Sequence, residues 1–308
     1  LFFLKYLKKN KINYNYFTNQ RLLNDVILDN KTLKEHLVYN KLKYVSTSDI
    51  NKNNKIYKII NTKTLGIGFG QPWVIKKKLL KKFNDKIVDF MGIPMPKFRG
   101  GAHYSWMILN NMREGGCYLQ NLNEKTIQGM SDTGYYYLGR KYKYPNKIKT
   151  PKEFFNFSCK KEMKFLIEFL KKIKKNHNFK LRKFDERHSI FFPRLNVKYN
   201  GFINWDYSAD EIVRFINAFD EPYSGGITYL NKKKVYLKRA SLIEKNNFHS
   251  YCGGLIINKS KKSFTVAAKN GIIKIDKVDN IKNDLIQVGD RFLTDNNKIH
   301  KAKKHFKI

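Results

Sequence analysis

The stretch from Lys86 to Gly134 constrains this chain most. Ile87 to Phe90 is a short apolar run interrupted only by Asp89, and it predicts a buried strand. It runs into Gly92-Ile93-Pro94-Met95-Pro96-Lys97-Phe98-Arg99-Gly100-Gly101, a loop too rich in Gly and Pro to extend a strand or a helix. Apolar periodicity resumes at Ala102 and predicts a helix to Asn110, with Trp106, Ile108 and Leu109 inward. A second loop, Gln128 to Gly134, carries Asp132 ahead of Thr133-Gly134. In open α/β sheets ligands bind where the carboxyl ends of strands meet such loops, so chemistry is expected here.

The surrounding pattern is αβ. Asn13 to Thr18 predicts a strand, and Leu22 to Leu42 has helical spacing broken at Asn30. Leu65 to Phe69 reads as a Gly-interrupted strand and Trp73 to Phe83 as an amphipathic helix. This alternation leads us to expect a mainly parallel sheet with crossover helices. Gly66, Gly68 and Gly70 lack the GxGxxG spacing and are followed by Pro72, so they are a poor phosphate loop. Pro151 suits the first position of a long amphipathic helix reaching about His177. From Thr228 onward, short strands separated by Gly, Asn and Lys turns predict a small β-barrel-like module.

A chain of 308 residues can bury a sizeable core and suggests two domains, set here at 1–183 and 184–308. Lys+Arg 62 against Asp+Glu 25 gives +37, which points to anionic partners. The basic residues are spread along the chain and not gathered into one stripe, which argues against a nucleic-acid partner. Cys117, Cys159 and Cys252 are far apart and fit neither a zinc spacing nor a disulfide framework. These cysteines favour a reducing cytoplasm, and with no apolar run near the ~20 residues that span a bilayer no membrane association is expected.

The segment Pro96-Lys97-Phe98-Arg99-Gly100, followed about thirty residues later by Asp132-Thr133-Gly134, resembles the folate-dependent formyltransferases. That family includes methionyl-tRNA formyltransferase and the sugar N-formyltransferases. Phe192-Pro193-Arg194-Leu195, Ile203-Asn204-Trp205 and the run to Gly225-Gly226 resemble the linker and C-terminal domain of the family, so the likeness covers about Leu65 to Phe292. It implies an α/β fold: a Rossmann-like formyltransferase domain with a smaller C-terminal α+β module. It implies transfer of a formyl group from N10-formyltetrahydrofolate to a primary amine. The Phe-Pro-Arg-Leu and Ile-Asn-Trp blocks are closer to the sugar enzymes, so the expected partner is a nucleotide-linked amino sugar; a homodimer stays open.

One part of the likeness is broken. The family carries Asn-x-His upstream of its Pro-x-x-Arg-Gly; this chain has Asp89-Phe90-Met91 there. A carboxylate donates only when protonated, and a thioether has no proton to give. The usual donors to the developing oxyanion are therefore missing, and Asp132 alone keeps the family pattern. His103, just after the glycine pair, is the candidate replacement. The positive end of its helix is expected to keep it neutral. The ordinary alternative is a first-turn histidine facing solvent, and for Asp132 a simple turn.

The expected catalytic set is therefore Asp132, kept from the resemblance, with His103 and Asp89 argued from their positions, and Phe69, Gly70, Gln71, Met91 and Gly129 are expected beside the cofactor. Arg99, Gly100 and Gly101 are expected beside the substrate, Arg99 offering a fork suited to phosphate. No metal is expected. Two alternatives stay open: a folate- or nucleotide-binding protein without standard catalysis, and a methionyl-tRNA formyltransferase.

Overall fold

A computed structural model describes residues 1–84, 86–122, 134–304 and 306. The chain forms two compact units: residues 1–96, 116–141 and 160–188, and residues 97–115, 142–159 and 189–308.

The first unit opens with helix α1 (Phe2–Lys9), strand β1 (Phe17–Thr18), helix α2 (Leu33–Tyr39) and strand β2 (Val45–Ser46), which pairs parallel to β1. The expected helix over Leu22 to Leu42 is split, with a short helix at Gln20–Asn24 and a hairpin of Val26–Leu28 with Lys31–Thr32 before α2. Thr32 and Glu35 make a reciprocal capping box at the start of α2, fixing its first turn where the apolar spacing restarts.

Next come β3 (Gly66–Gly68), α3 (Lys77–Phe83) and β4 (Ile87–Met91). Leu79, Leu80 and Phe83 are buried as their spacing predicts. The helix starts later than the expected Trp73. Asn51 holds the preceding backbone instead, donating to the Val74 carbonyl at 3.0 Å and accepting from Lys76 N at 2.7 Å.

In the second unit, β5 (Arg99–Gly100) and α4 (His103–Leu109) follow. The chain then enters β6 (Glu114–Asn121), β7 (Tyr135–Lys143), α5 (Pro151–Lys174) and β8 (Arg182–Lys183). The start of α5 at Pro151 matches the sequence; Phe154, Phe165, Leu166 and Phe169 are among its buried side chains.

The central sheet has the order β8-β7-β6-β4-β3. Only β3 and β4 are parallel among its described registers; β4 with β6, and β7 with β8, are antiparallel. The expected mainly parallel sheet is therefore corrected to a mixed one. The direction of β6 is set by its register on β4, Val88 opposite Asn121 and Met91 opposite Tyr118, which local apolar spacing does not encode.

The second unit continues with β9 (Phe191–Phe192), parallel to β5, and α6 (Ala209–Ala218), which a Ser208–Glu211 capping box begins. A six-stranded half-barrel completes it: β10 (Gly226–Leu230), β11 (Lys233–Glu244), β12 (Ile256–Lys259), β13 (Phe264–Ala268), β14 (Gly271–Asp279) and β15 (Phe292–Leu293). Its named registers are antiparallel, and helix α7 (Asn296–Lys304) follows. Ile212 and Ile216 of α6 meet Val235, Leu237, Val266 and Ile273 in one apolar core. The α/β class and the β-barrel-like module expected from the sequence are both present. No helix among the described residues is long and apolar enough to cross a membrane.

Candidate active site

The first unit gathers four of the expected residues at the carboxyl end of β3. Gly68 lies opposite Asp89 in the parallel pair of β3 and β4. Gln71 folds back over Gly68 and its Nε2 donates to Asp89 Oδ2 at 3.3 Å. A Cβ on Gly68 would stand 2.2 Å from Gln71 Oε1 and 2.7 Å from Asp89 Oδ1, so only glycine admits this pair. Gln71 Oε1 is enclosed and accepts no hydrogen bond. A buried acceptor left open in this way costs ~1–3 kcal/mol, which a ligand donor would recover.

Phe69 and Gly70 complete the group. Phe69 is 43% exposed as a residue, its ring centroid 5.5 Å from that of Phe3 and 5.4 Å from that of Phe90. Gly70 has φ +55 and open space where a Cβ would point. The group thus offers one part-exposed aromatic residue, an unobstructed backbone and an acceptor. Met91, two residues on from Asp89, packs among Ile93, Met95, Tyr118 and Phe184, an apolar setting.

Glu162 was not singled out by the sequence, where Lys160, Lys161 and Lys164 make its helix look solvated. Its Oε1 lies 2.8 Å from where a Cβ on Gly92 would stand, at the end of β4. Burial pushes this carboxyl up from 4.5 to about 7. The same burial, with Glu162 nearby, pushes the Cys117 thiol up.

In the second unit, β9 runs beside β5, with Phe191 opposite Arg99 and Phe192 opposite Gly100. Arg99 is buried and its Nη1 donates to Ser189 Oγ at 2.5 Å. Gly100 has φ +94, and a Cβ there would stand 2.2 Å from the Phe192 carbonyl oxygen. A Cβ on Gly101 would stand 2.9 Å from Arg194 Cβ. The glycine pair is therefore required by the passage of residues 191–194.

His103 opens α4 against the Tyr104 ring, with centroids 3.9 Å apart. The residue is part-exposed, yet its Nε2 is fully enclosed and has no hydrogen-bond partner. Its pKa is lowered from 6.5 to about 4. The direction matches the sequence reading; the cause is burial, not the helix end.

These two groups make opposite contributions to acid and alkaline stability. The unfolded chain binds a proton at His103 near pH 6.5 and the folded one near 4, so stability is lost as pH falls through that window. His103→Gln is expected to flatten thermal unfolding midpoints across it. For Glu162 the folded group keeps its proton to about 7 while the unfolded one loses it near 4.5, so stability is lost as pH rises between them. Glu162→Gln is expected to raise Tm at pH 8 by several degrees, with little change at pH 4.5; an unchanged Tm at pH 8 would refute the burial.

The structure thus joins Phe69, Gly70, Gln71 and Asp89, and separately Arg99, Gly100, Gly101 and His103 in the other unit. Asp132 and Gly129 lie outside the described residues. Among the described residues no cluster of His, Cys, Asp or Glu could hold a metal ion.

Residues 197–292 match the family described as formyl transferase, C-terminal domain. A methionyl-tRNA formyltransferase of Coxiella burnetii is 28% identical over 206 residues, 67% of this chain and 62% of that protein. One from Kosmotoga olearia is 30% identical over 194 residues, 60% of this chain and 56% of its own length. The chain therefore spans about 62% of the first of these relatives. Among solved structures, WlaRD, a sugar 3N-formyl transferase crystallised with dTDP and 5-N-formyl-THF, superposes with TM-score 0.65 at 19% identity, covering 91% of this chain and 94% of that one. The N-formyltransferase from Helicobacter canadensis, crystallised with folinic acid and dTDP-3-aminofucose, gives 0.65 at 20% identity, covering 89% and 94%. These structures share the fold, and the 197–292 segment matches the formyl transferase C-terminal domain.

Proposed function

We propose that this chain is an N10-formyltetrahydrofolate-dependent N-formyltransferase acting on the amine of a nucleotide-linked amino sugar. The observation that carries the reading is the Gln71–Asp89 pair over Gly68, with an unfilled acceptor at the mouth of β3. Primary amines and pterin rings are both rich in N–H donors, and this group is rich in acceptors.

The residues present fit the cofactor. Phe69 is part-exposed beside a flat ring's place, Gly70 leaves room for close approach, and Gln71, once turned outward, presents its unpaired Oε1 to a ring N–H. When bound, the cofactor would supply the formyl group. Asp89 stands where the family keeps a donor, so its task would shift to the nucleophile: it orients the amine and accepts its proton. His103 and Asp132 complete the proposed catalytic set as proton carriers, and Arg99 with the glycine pair the proposed substrate-binding set.

The sugar is preferred to tRNA because sugar N-formyltransferase structures match 91% and 89% of this chain. The dispersed basic charge supports the same choice. A cytoplasmic location is proposed with it. A second reading, a binding protein without turnover, is favoured by Met91, whose thioether in an apolar cluster can pass no proton.

The test is a formylation assay with N10-formyltetrahydrofolate and a panel of dTDP- and UDP-amino sugars, with formyl amide detected by mass spectrometry. Product on at least one sugar is expected. Tight folate binding with no product on any amine would leave the binding protein. Product on charged initiator tRNA alone, with a steep salt slope, would replace the sugar.

A further inference from the structure

A second concave site lies wholly in the second unit, and its lining shares no residue with the candidate active site. It is a cavity of about 980 Å³ between the turn at Ser250–Cys252, the segment around Arg291, and α7. That volume is at the upper end of the ~300–1,000 Å³ of small-molecule sites, room for more than one pyranose ring.

Its lining has a distinct chemistry. Tyr251 is 78% exposed, and it is held in place by Arg291. The guanidinium carbon is 5.1 Å from the ring centroid, and Nη1 donates to the Tyr251 carbonyl at 2.9 Å. One ring face is thus backed by a cation, a fixed platform. Trp205 borders the cavity from the core, its indole N–H donating inward to Thr228 Oγ1 at 2.9 Å. Around these rings stand planar polar side chains: Asn204, Asn231 and Asn296.

Charge decides between ligands. In a chain of +37 this lining is balanced, with Asp206, Asp290 and Asp295 against Lys232, Arg291 and Lys298. Lys298 is already tied, donating to Tyr229 OH at 2.6 Å and lying 3.5 Å from Asp295. A polyphosphate ligand needs surplus cations to displace its counterions, and the cavity has none. An apolar ligand would strand the amides and carboxylates without partners. A neutral ligand with many hydroxyls meets both demands: C–H faces for the tyrosine, and paired donors and acceptors for Asn, Asp and Arg.

We propose that this cavity of the C-terminal half-barrel binds a neutral oligosaccharide, independently of the formyl-transfer site. Small β-barrels bind such ligands on their open faces elsewhere.

The test uses the full chain on an array of neutral oligosaccharides, followed by titration calorimetry with the retained glycans. At least one is expected to bind with an affinity insensitive to salt between about 50 and 200 mM, where nucleic-acid binding would fall steeply. Tyr251→Ala should weaken it about tenfold or more while Tyr251→Phe keeps it, circular dichroism showing both variants folded. Formyl transfer, if present, should be unchanged in both. The proposal is overturned if no neutral glycan is retained, if folded Tyr251→Ala binds as wild type does, or if only polyuridylate binds.

Discussion

Replacing Asp89 by alanine is expected to lower kcat/KM for formyl transfer by about 10²–10⁴, the range for losing a positioned proton acceptor. The carboxylate is held by the Gln71 amide at 3.3 Å and stands over Gly68, and alanine removes both the acceptor and the partner of that amide. Asp89→Asn is the sharper variant, because it restores the amide that the family carries at this place. An amide can donate to a developing negative oxygen but takes no proton from an amine. If Asp89 acts on the nucleophile, Asp89→Asn is expected to fall nearly as far as alanine. A rise in rate on restoring asparagine would show that the site still works by the family's usual donors, and the amine-directed role would be wrong. Steady-state kinetics with saturating cofactor separates the two outcomes. Folate affinity measured alongside guards against simple loss of the Gln71 geometry.

Gly100→Ala is expected to cost far more stability than a methyl added at an unobstructed glycine. At φ +94 an L side chain costs about 1–3 kcal/mol. The new Cβ would also stand 2.2 Å from the Phe192 carbonyl oxygen, which no ordinary contact allows. That atom belongs to backbone paired with β5, so relief requires the β5–β9 ladder to part. Parting it withdraws the Gly101 N–H from Phe192 O and shifts Arg99, which is buried with its Nη1 on Ser189. A total of about 3–5 kcal/mol follows. It should lower Tm by about 10 °C. Gly70→Ala is the control: its φ is +55 but nothing lies within 4 Å of the added atom. It should cost only about 1 kcal/mol. Equal losses for the two variants, measured by calorimetry, would show that the close approach at Gly100 does not exist.

Much of the candidate site was legible because it is local. The strand at Ile87, the Gly/Pro loop after it and the helix after that are written in adjacent residues, and β4 and α4 stand close to their expected bounds. The loop Phe69-Gly70-Gln71 was singled out through the family resemblance, as the segment after a Gly-interrupted strand. Glu162 was missed for the opposite reason: three neighbouring lysines give its helix turn a solvated look, and its burial comes from the end of a strand seventy residues earlier.

The sequence alone determined the helix from Pro151, the half-barrel strands and the loop that ends β4, because apolar period, Pro and Gly act over a few residues. Tertiary structure alone decided the direction of β6 beside β4, the Gln71–Asp89 pair, the enclosure of His103 Nε2 and the charge-balanced cavity. Each of these depends on which distant segment lies alongside: Arg99 is ninety residues from Ser189, and Arg291 forty from Tyr251. Pairing partners and burial are set by the packing of whole elements, and no short window of residues contains that information.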